Sequence, residues 1–298
     1  MRSFLYIILL FSANVFGQMV LVDDAPFCGH HDTTTFSAIW DSLRAHGATV
    51  HFTSSVGRFP TLSGYDLVIL MHHNYCSSAG FSYSQRTQLI DFVCHGGNLL
   101  IMPIATDDVS PHNQLLGDSR WATGLSFDGS GGRIYTTNIA SLPPLTNGVS
   151  HLFFEITALI NVSPPAMPFV WDSSGTKVIA AISYPRRLDG EDCDCHLGGR
   201  IVAIADCHTF EVPVVGYAEP MDFRFIINTV TALARVSGYT LQNCIHPEGV
   251  PIIDSTNCAD PGDTVNIWGD GFPDSVVLLF DGDTISFTYC IAVEEKHY

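Results

Sequence analysis

Between residues 19 and 103, short apolar runs alternate with helical patterns at close intervals. The runs are "MVLVDD" (19–24), "TVHFTS" (49–54), "YDLVILM" (65–71) and "NLLIMP" (98–103). Between the first two, "TTTFSAIWDSLRAHG" (33–47) sets Phe36, Ile39, Trp40 and Leu43 at helical spacing, with Gly47 as a stop. Between the last two, "SYSQRTQLIDFVCHGG" (82–97) turns Leu89, Phe92 and Val93 inward and closes on a glycine pair. Strands alternating with helices in this way need right-handed βαβ crossovers and a sheet covered on both faces. The pattern therefore predicts an α/β domain with a mainly parallel sheet.

The second half is less regular. "GGRIYTTN" (131–138), "KVIAAISYP" (177–185) and "GGRIVAIADCHTF" (198–210) read as strands, the last running into a loop. "EPMDFRFIINTVTALARVSG" (219–238) reads as a helix with Phe223, Ile226, Ile227, Val230 and Leu233 as its apolar stripe. The insert "RRLDGEDCDCHL" (186–197) lies between two strands and is expected to be an exposed hairpin tip. After Gly238 turn formers take over, which places a boundary near residue 240. Residues 241–298 then alternate apolar and polar positions between Gly, Asp and Pro turns, as a small antiparallel β module does. That stretch is short for a complete sandwich and suggests a truncated module, or one completed by another chain.

Residues 1–17 carry one charge, Arg2, followed by an apolar run from Phe4 to Phe11 and small residues before Gln18. This is the pattern of a secretory signal peptide, too short to span a bilayer. Removing Arg2 from the 13 Lys+Arg leaves 12 against 30 Asp+Glu. So acidic a surface repels nucleic acid and anionic membrane, both of which demand clustered Lys and Arg. A soluble or cell-surface partner, with neutral sugars among the open classes, is the expectation. The nine cysteines make disulfides permissible in an exported chain, and their odd number leaves at least one thiol over.

The segments "VLVDDAPFCGHHDTTTFSAIWDSLRAHGATV", "YDLVIL", "SQRTQLIDFVCHGGNLLIM" and "GGRIVAIADCHTF" together resemble the class I glutamine amidotransferase-like superfamily, in its secreted, non-amidotransferase branches. The resemblance covers residues 19–238 and implies a flavodoxin-like three-layer sandwich. True amidotransferases carry a nucleophilic Cys in a G-x-C-x-G elbow after the strand equivalent to Asn98–Pro103. Here that turn is Pro103-Ile104-Ala105-Thr106, so the resemblance implies the fold and argues against the reaction. Separately, "DPGDTVNIWGDGFPDSVVLLFDG" (260–282) resembles the start of an IPT/TIG-type immunoglobulin-like domain, a class of spacer and binding modules.

In a parallel α/β sheet, ligands sit beyond the carboxyl ends of the strands. That rule gathers Asp23, His30, His31, His72, His73, Asp107, Asp206 and His208 as candidate ligand-binding residues. Imidazoles and carboxylates on one rim could hold a divalent ion. Against this, strand ends are polar in any such fold, and no spaced ligand pair of the H-E-x-x-H kind occurs, so no cofactor is expected. Cys76 follows His72 and His73 but lacks a nucleophile elbow; a Cys28–Cys76 disulfide between neighbouring strand ends is the simpler account. Cys244 and Cys258 bracket the domain boundary and form a second disulfide candidate. Cys193, Cys195 and His196 are spaced more tightly than usual metal sites and read as part of an acidic hairpin. Asn161-Val162-Ser163 matches a glycosylation sequon, and neither a Walker loop nor G-x-G-x-x-G occurs.

The sequence thus suggests an exported, non-catalytic binding or surface-scaffold protein with carbohydrate as the favoured ligand class. A metal-dependent hydrolase using the His/Asp rim is the alternative, and a fragment of a larger multidomain surface protein is a third reading.

Overall fold

A computed structural model describes residues 18–23, 36–53, 59–71, 80–103, 109–188, 199–206 and 220–235, with four short strands between 255 and 287. Along the chain run β1 (Met19–Asp23), α1 (Ser37–Ala45), β2 (Thr49–Phe52), β3 (Leu67–Leu70), α2 (Tyr83–Cys94) and β4 (Asn98–Ile101). These match the expected order, and α1 and α2 stop just before Gly47 and Gly96. The start of α2 is fixed by a capping box. Ser82 accepts the Gln85 backbone N–H on its hydroxyl, and the Gln85 side chain accepts the Ser82 N–H in return.

The chain continues through α3 (Ser110–Leu116), β5 (Trp121–Ala122), β6 (Leu125–Thr136), β7 (Leu152–Val162), β8 (Ala166–Trp171), β9 (Val178–Ser183), β10 (Arg186–Arg187), β11 (Ile201–Ile204) and α4 (Pro220–Leu233). The main sheet has the order β2-β1-β3-β4-β11-β9-β7-β6, with β8 pairing to β9. Strands β2, β1, β3, β4 and β11 are parallel. Their neighbours β9, β8, β7 and β6 are joined in antiparallel fashion. The sheet is therefore mixed, and the mainly parallel sheet of the sequence reading describes only its first half. The helix-free connections from β6 to β9 are the reason, since hairpins can join only antiparallel strands.

Every residue of β3, β4 and β11 is buried, as expected for strands covered on both faces. Helix α1 packs against α4. The crossover β1-α1-β2 moves along the sheet in one direction and β3-α2-β4 in the other, so right-handedness places α1 and α2 on opposite faces. The insert expected as a free hairpin tip begins differently. Arg186 and Arg187 pair with Ala122 and Trp121 in a small second sheet. Residues 189–197 of the insert lie outside the described set.

The amino end of β11 meets the α2–β4 turn without any side chain between them. A Cβ at Gly199 would stand 1.6 Å from the carbonyl oxygen of Gly97 and 2.9 Å from that of Val93. Only glycine permits this approach. Beyond α4, β12 (Ser255–Thr256) pairs with β13 (Ile267–Trp268), and β14 (Val276–Phe280) with β15 (Asp283–Phe287), both antiparallel. Residues 1–17 lie outside the described set. Among the described residues no helix is long and apolar enough to cross a membrane.

Candidate functional site

The parallel strands β1, β3, β4 and β11 end along one edge, with Asp23 level with Leu70, Leu70 with Ile101 and Ile101 with Ala203. Of the rim candidates, Asp23 and Asp206 are among the described residues. His30, His31, His72, His73, Asp107 and His208 lie outside them, as do Cys28, Cys76, Cys244 and Cys258. Asp23 is 6% exposed, and its carboxylate accepts the Thr53 hydroxyl at 2.8 Å, tying the end of β1 to the end of β2. Asp206 is fully buried and accepts the backbone N–H of Glu155 at 2.7 Å, tying the end of β11 to β7.

Strands β3 and β4 stand between β1 and β11. Three strand spacings separate Asp23 from Asp206 by about 14 Å or more, too far for one ion to bind both carboxylates. Among the described residues no three His, Cys, Asp or Glu side chains stand together as a metal site. After β4, Met102 is fully buried and donates its backbone N–H to the Leu70 carbonyl at 2.9 Å, and Pro103 follows, while Ile104, Ala105 and Thr106 of the turn expected to replace a nucleophile elbow lie outside the described residues.

Cys94, at the end of α2, is disulfide-bonded. It lies just before the amino end of β4, at the edge of the sheet opposite the rim.

A pocket of about 450 Å³ lies elsewhere, where the end of α3, strand β5 and the turn after it face the start of β6 and the end of β7. Its lining includes Leu116, Trp121 and Leu125, the polar Ser126, Asn161 and Ser163, and Leu188. The strand pairing that builds it sets Leu125 opposite Val162 and Ser126 opposite Asn161. Gly124, at φ +67°, lets the chain pass so close that a Cβ there would meet the Ser163 carbonyl oxygen at 1.9 Å. Ser183 donates its hydroxyl to the Thr123 carbonyl. Ser183 in turn pairs with Ile201 at the start of β11.

The loop at one side of the pocket is held by charge. Arg120 meets Asp118 through Nε and Nη2 at 2.8 Å each, and Arg86 Nε reaches the same carboxylate at 2.8 Å. The Arg120 guanidinium also lies 4.3 Å from the Tyr83 ring centroid. The hydrogen bond from Arg120, with that from Arg86 behind it, holds the Asp118 carboxyl well below the usual carboxylate range, against burial that pushes it up. The same pair raises Arg120. Sequence reasoning missed this pocket. Its sole trace there was the sequon at Asn161, noted for another reason.

The chain is similar in structure to the N-terminal domain of mmIFT52, with 13% identity and a TM-score of 0.55 over 72% of this chain and 97% of that one. That likeness shows a shared fold. A ThuA-like protein from Bacteroides uniformis ATCC 8492 aligns over 73% of this chain and 90% of its own, at 10% identity and a TM-score of 0.41. The exo-beta-1,4-mannosidase Op5Man5 from Opitutaceae bacterium strain TAV5 aligns over 73% of this chain and 36% of its own, at 11% identity and a TM-score of 0.41. ThuA-like proteins have a glutamine amidotransferase-like fold, but a TM-score of 0.41 carries no argument about this chain. No family model matches the chain, and no curated protein does.

Proposed function

We propose that the chain is an exported, non-catalytic binding or surface-scaffold protein built on an amidotransferase-like α/β domain, with carbohydrate as its ligand class. The observation that supports this best is the turn after β4. Its sequence, Pro103-Ile104-Ala105-Thr106, carries neither Cys nor flanking glycines where this kind of sheet would expose a nucleophile, and Met102 before it is a fully buried core residue bonded through its backbone to Leu70. The two described rim carboxylates agree with it, because each is engaged in holding neighbouring strands together. The signal-like leader, and residues 241–298 as an immunoglobulin-like module of a surface protein, belong to the same proposal.

The test is metal content and glycan binding of the purified chain, produced under oxidising conditions without a histidine tag. The binding reading expects no stoichiometric metal, unchanged thermal stability in chelator and retention of at least one neutral glycan. Near-stoichiometric zinc, manganese or iron, lost in His72→Ala/His73→Ala, would replace it with the metal-dependent hydrolase.

A further inference from the structure

We infer that the pocket between β5, β6 and β7 is the ligand site of this protein and that its ligand is a neutral saccharide. The inference rests on the binding reading above and places the site in a pocket whose lining includes none of the rim candidates. The volume, about 450 Å³, falls within the span of roughly 300–1,000 Å³ usual for small-molecule sites.

The lining decides the chemistry. The lining combines apolar residues, Leu116, Trp121 and Leu125, with polar ones, Asn161, Ser126 and Ser163. The Asn161 amide nitrogen and the Ser126 hydroxyl are 3.5 Å apart, the outer limit of a hydrogen bond, so both retain capacity for a ligand. Ser163 is rigidly presented, its backbone N–H bonded to Gly124 and its carbonyl to Ala166. A pyranose matches such a mixed lining: its hydroxyls bond to the amide and serines while its C–H groups meet the apolar side chains.

Charge argues for neutrality. Asp118 is the one charged residue in the lining, and both of its oxygens are taken by Arg120 and Arg86. A cation would compete with two arginines for that carboxylate, and an anion would meet no lining cation. A wholly apolar ligand would strip water from the amide and hydroxyls without replacing their hydrogen bonds.

Leu188 lines the pocket and stands 62% exposed, held by its backbone N–H on the Arg120 carbonyl. An exposed leucine held in a pocket lining is a surface for the ring of a second sugar, so the lining favours a disaccharide over a monosaccharide.

The experiment is titration of the purified chain with cellobiose, maltose and chitobiose, read by saturation-transfer NMR and calorimetry. The host must not glycosylate, because Asn161 is also the sequon asparagine. Asn161→Ala and Leu188→Glu alter exposed positions, and Tyr135→Ala, exposed on the same hairpin but away from the pocket, is the control. The expected result is binding of at least one disaccharide, weakened about fivefold or more by Asn161→Ala and by Leu188→Glu, and unchanged in Tyr135→Ala, with all three melting as the parent does. Binding that both pocket variants leave intact would overturn this site while sparing the binding reading. No binding of these sugars, nor of any neutral glycan on an array, would overturn both.

Discussion

Asp118 holds Arg120 in a two-pronged grip, Nε on one carboxylate oxygen and Nη2 on the other, each at 2.8 Å. Arg86 of α2 completes the arrangement from the far side, so the loop after α3 is bolted to α2 by one nearly buried carboxylate. Replacing Asp118 with Asn leaves two guanidinium groups facing an amide. We expect Asp118→Asn to lower unfolding free energy by about 3 kcal/mol, the usual consequence of removing one partner from a buried pair, measured by urea titration at neutral pH.

The same carboxylate sets an acid limit. Its folded pKa is depressed below an unfolded value of about 3.9. The stability it contributes is therefore fully present above that value and is lost as pH falls towards the folded one. Below about pH 4 the parent should lose stability more steeply than Asp118→Asn, and the two denaturation curves should converge. Parallel curves down to pH 2 would show that the pair contributes nothing in solution.

Gly199 makes a steric prediction with little room for adjustment. The atoms an added methyl would strike are the Gly97 and Val93 carbonyl oxygens, and the Gly199 N–H is itself bonded to Val93 at 2.7 Å. Backbone cannot rotate aside as a side chain can. Gly199→Ala should therefore cost about 3 kcal/mol, at the upper end for overpacking, seen as a lowered melting temperature with an unchanged circular dichroism spectrum.

Much of this architecture was legible in the sequence, and its failures have physical causes. Strands β1, β3, β4 and β11 are buried on both faces and so appear as unbroken apolar runs, while Ser82 and Gly97 punctuate the helix between them. Strand β8 carries Pro168, which disguises it, and α3 is seven residues long, too short for a period to show. In β7 the alternation breaks at Thr157 and Ala158, both buried, where Ala158 turns its N–H to Ala205 of the strand-end beyond β11. The pocket was illegible for a different reason. Its parts come from residues 116–126, 161–163 and 188, and they meet only because β6 pairs with β7 and Leu188 bonds to Arg120. No local pattern carries that information. The rim candidates were chosen by the opposite logic, from strand ends alone. That logic located Asp23 and Asp206 at the edge but could not foresee that both carboxylates serve neighbouring strands.

Asp206 offers the sharpest separation of a strand-holding carboxylate from a ligand. It is fully buried, and its oxygen receives the Glu155 N–H where β11 passes β7. Asp206→Asn keeps an oxygen that can accept that bond, whereas Asp206→Ala leaves a buried N–H without its acceptor. If the residue holds the two strands together, Ala should cost about 1–3 kcal/mol more than any change seen with Asn, and neither variant should alter metal content or glycan retention. If Asp206 instead served a metal ion at the rim, the order of effects would change. Asn would then abolish metal binding at little cost in stability, because losing the carboxylate charge matters to an ion far more than to a backbone amide. Thermal melts of the two variants beside metal analysis distinguish these outcomes, and we expect the first.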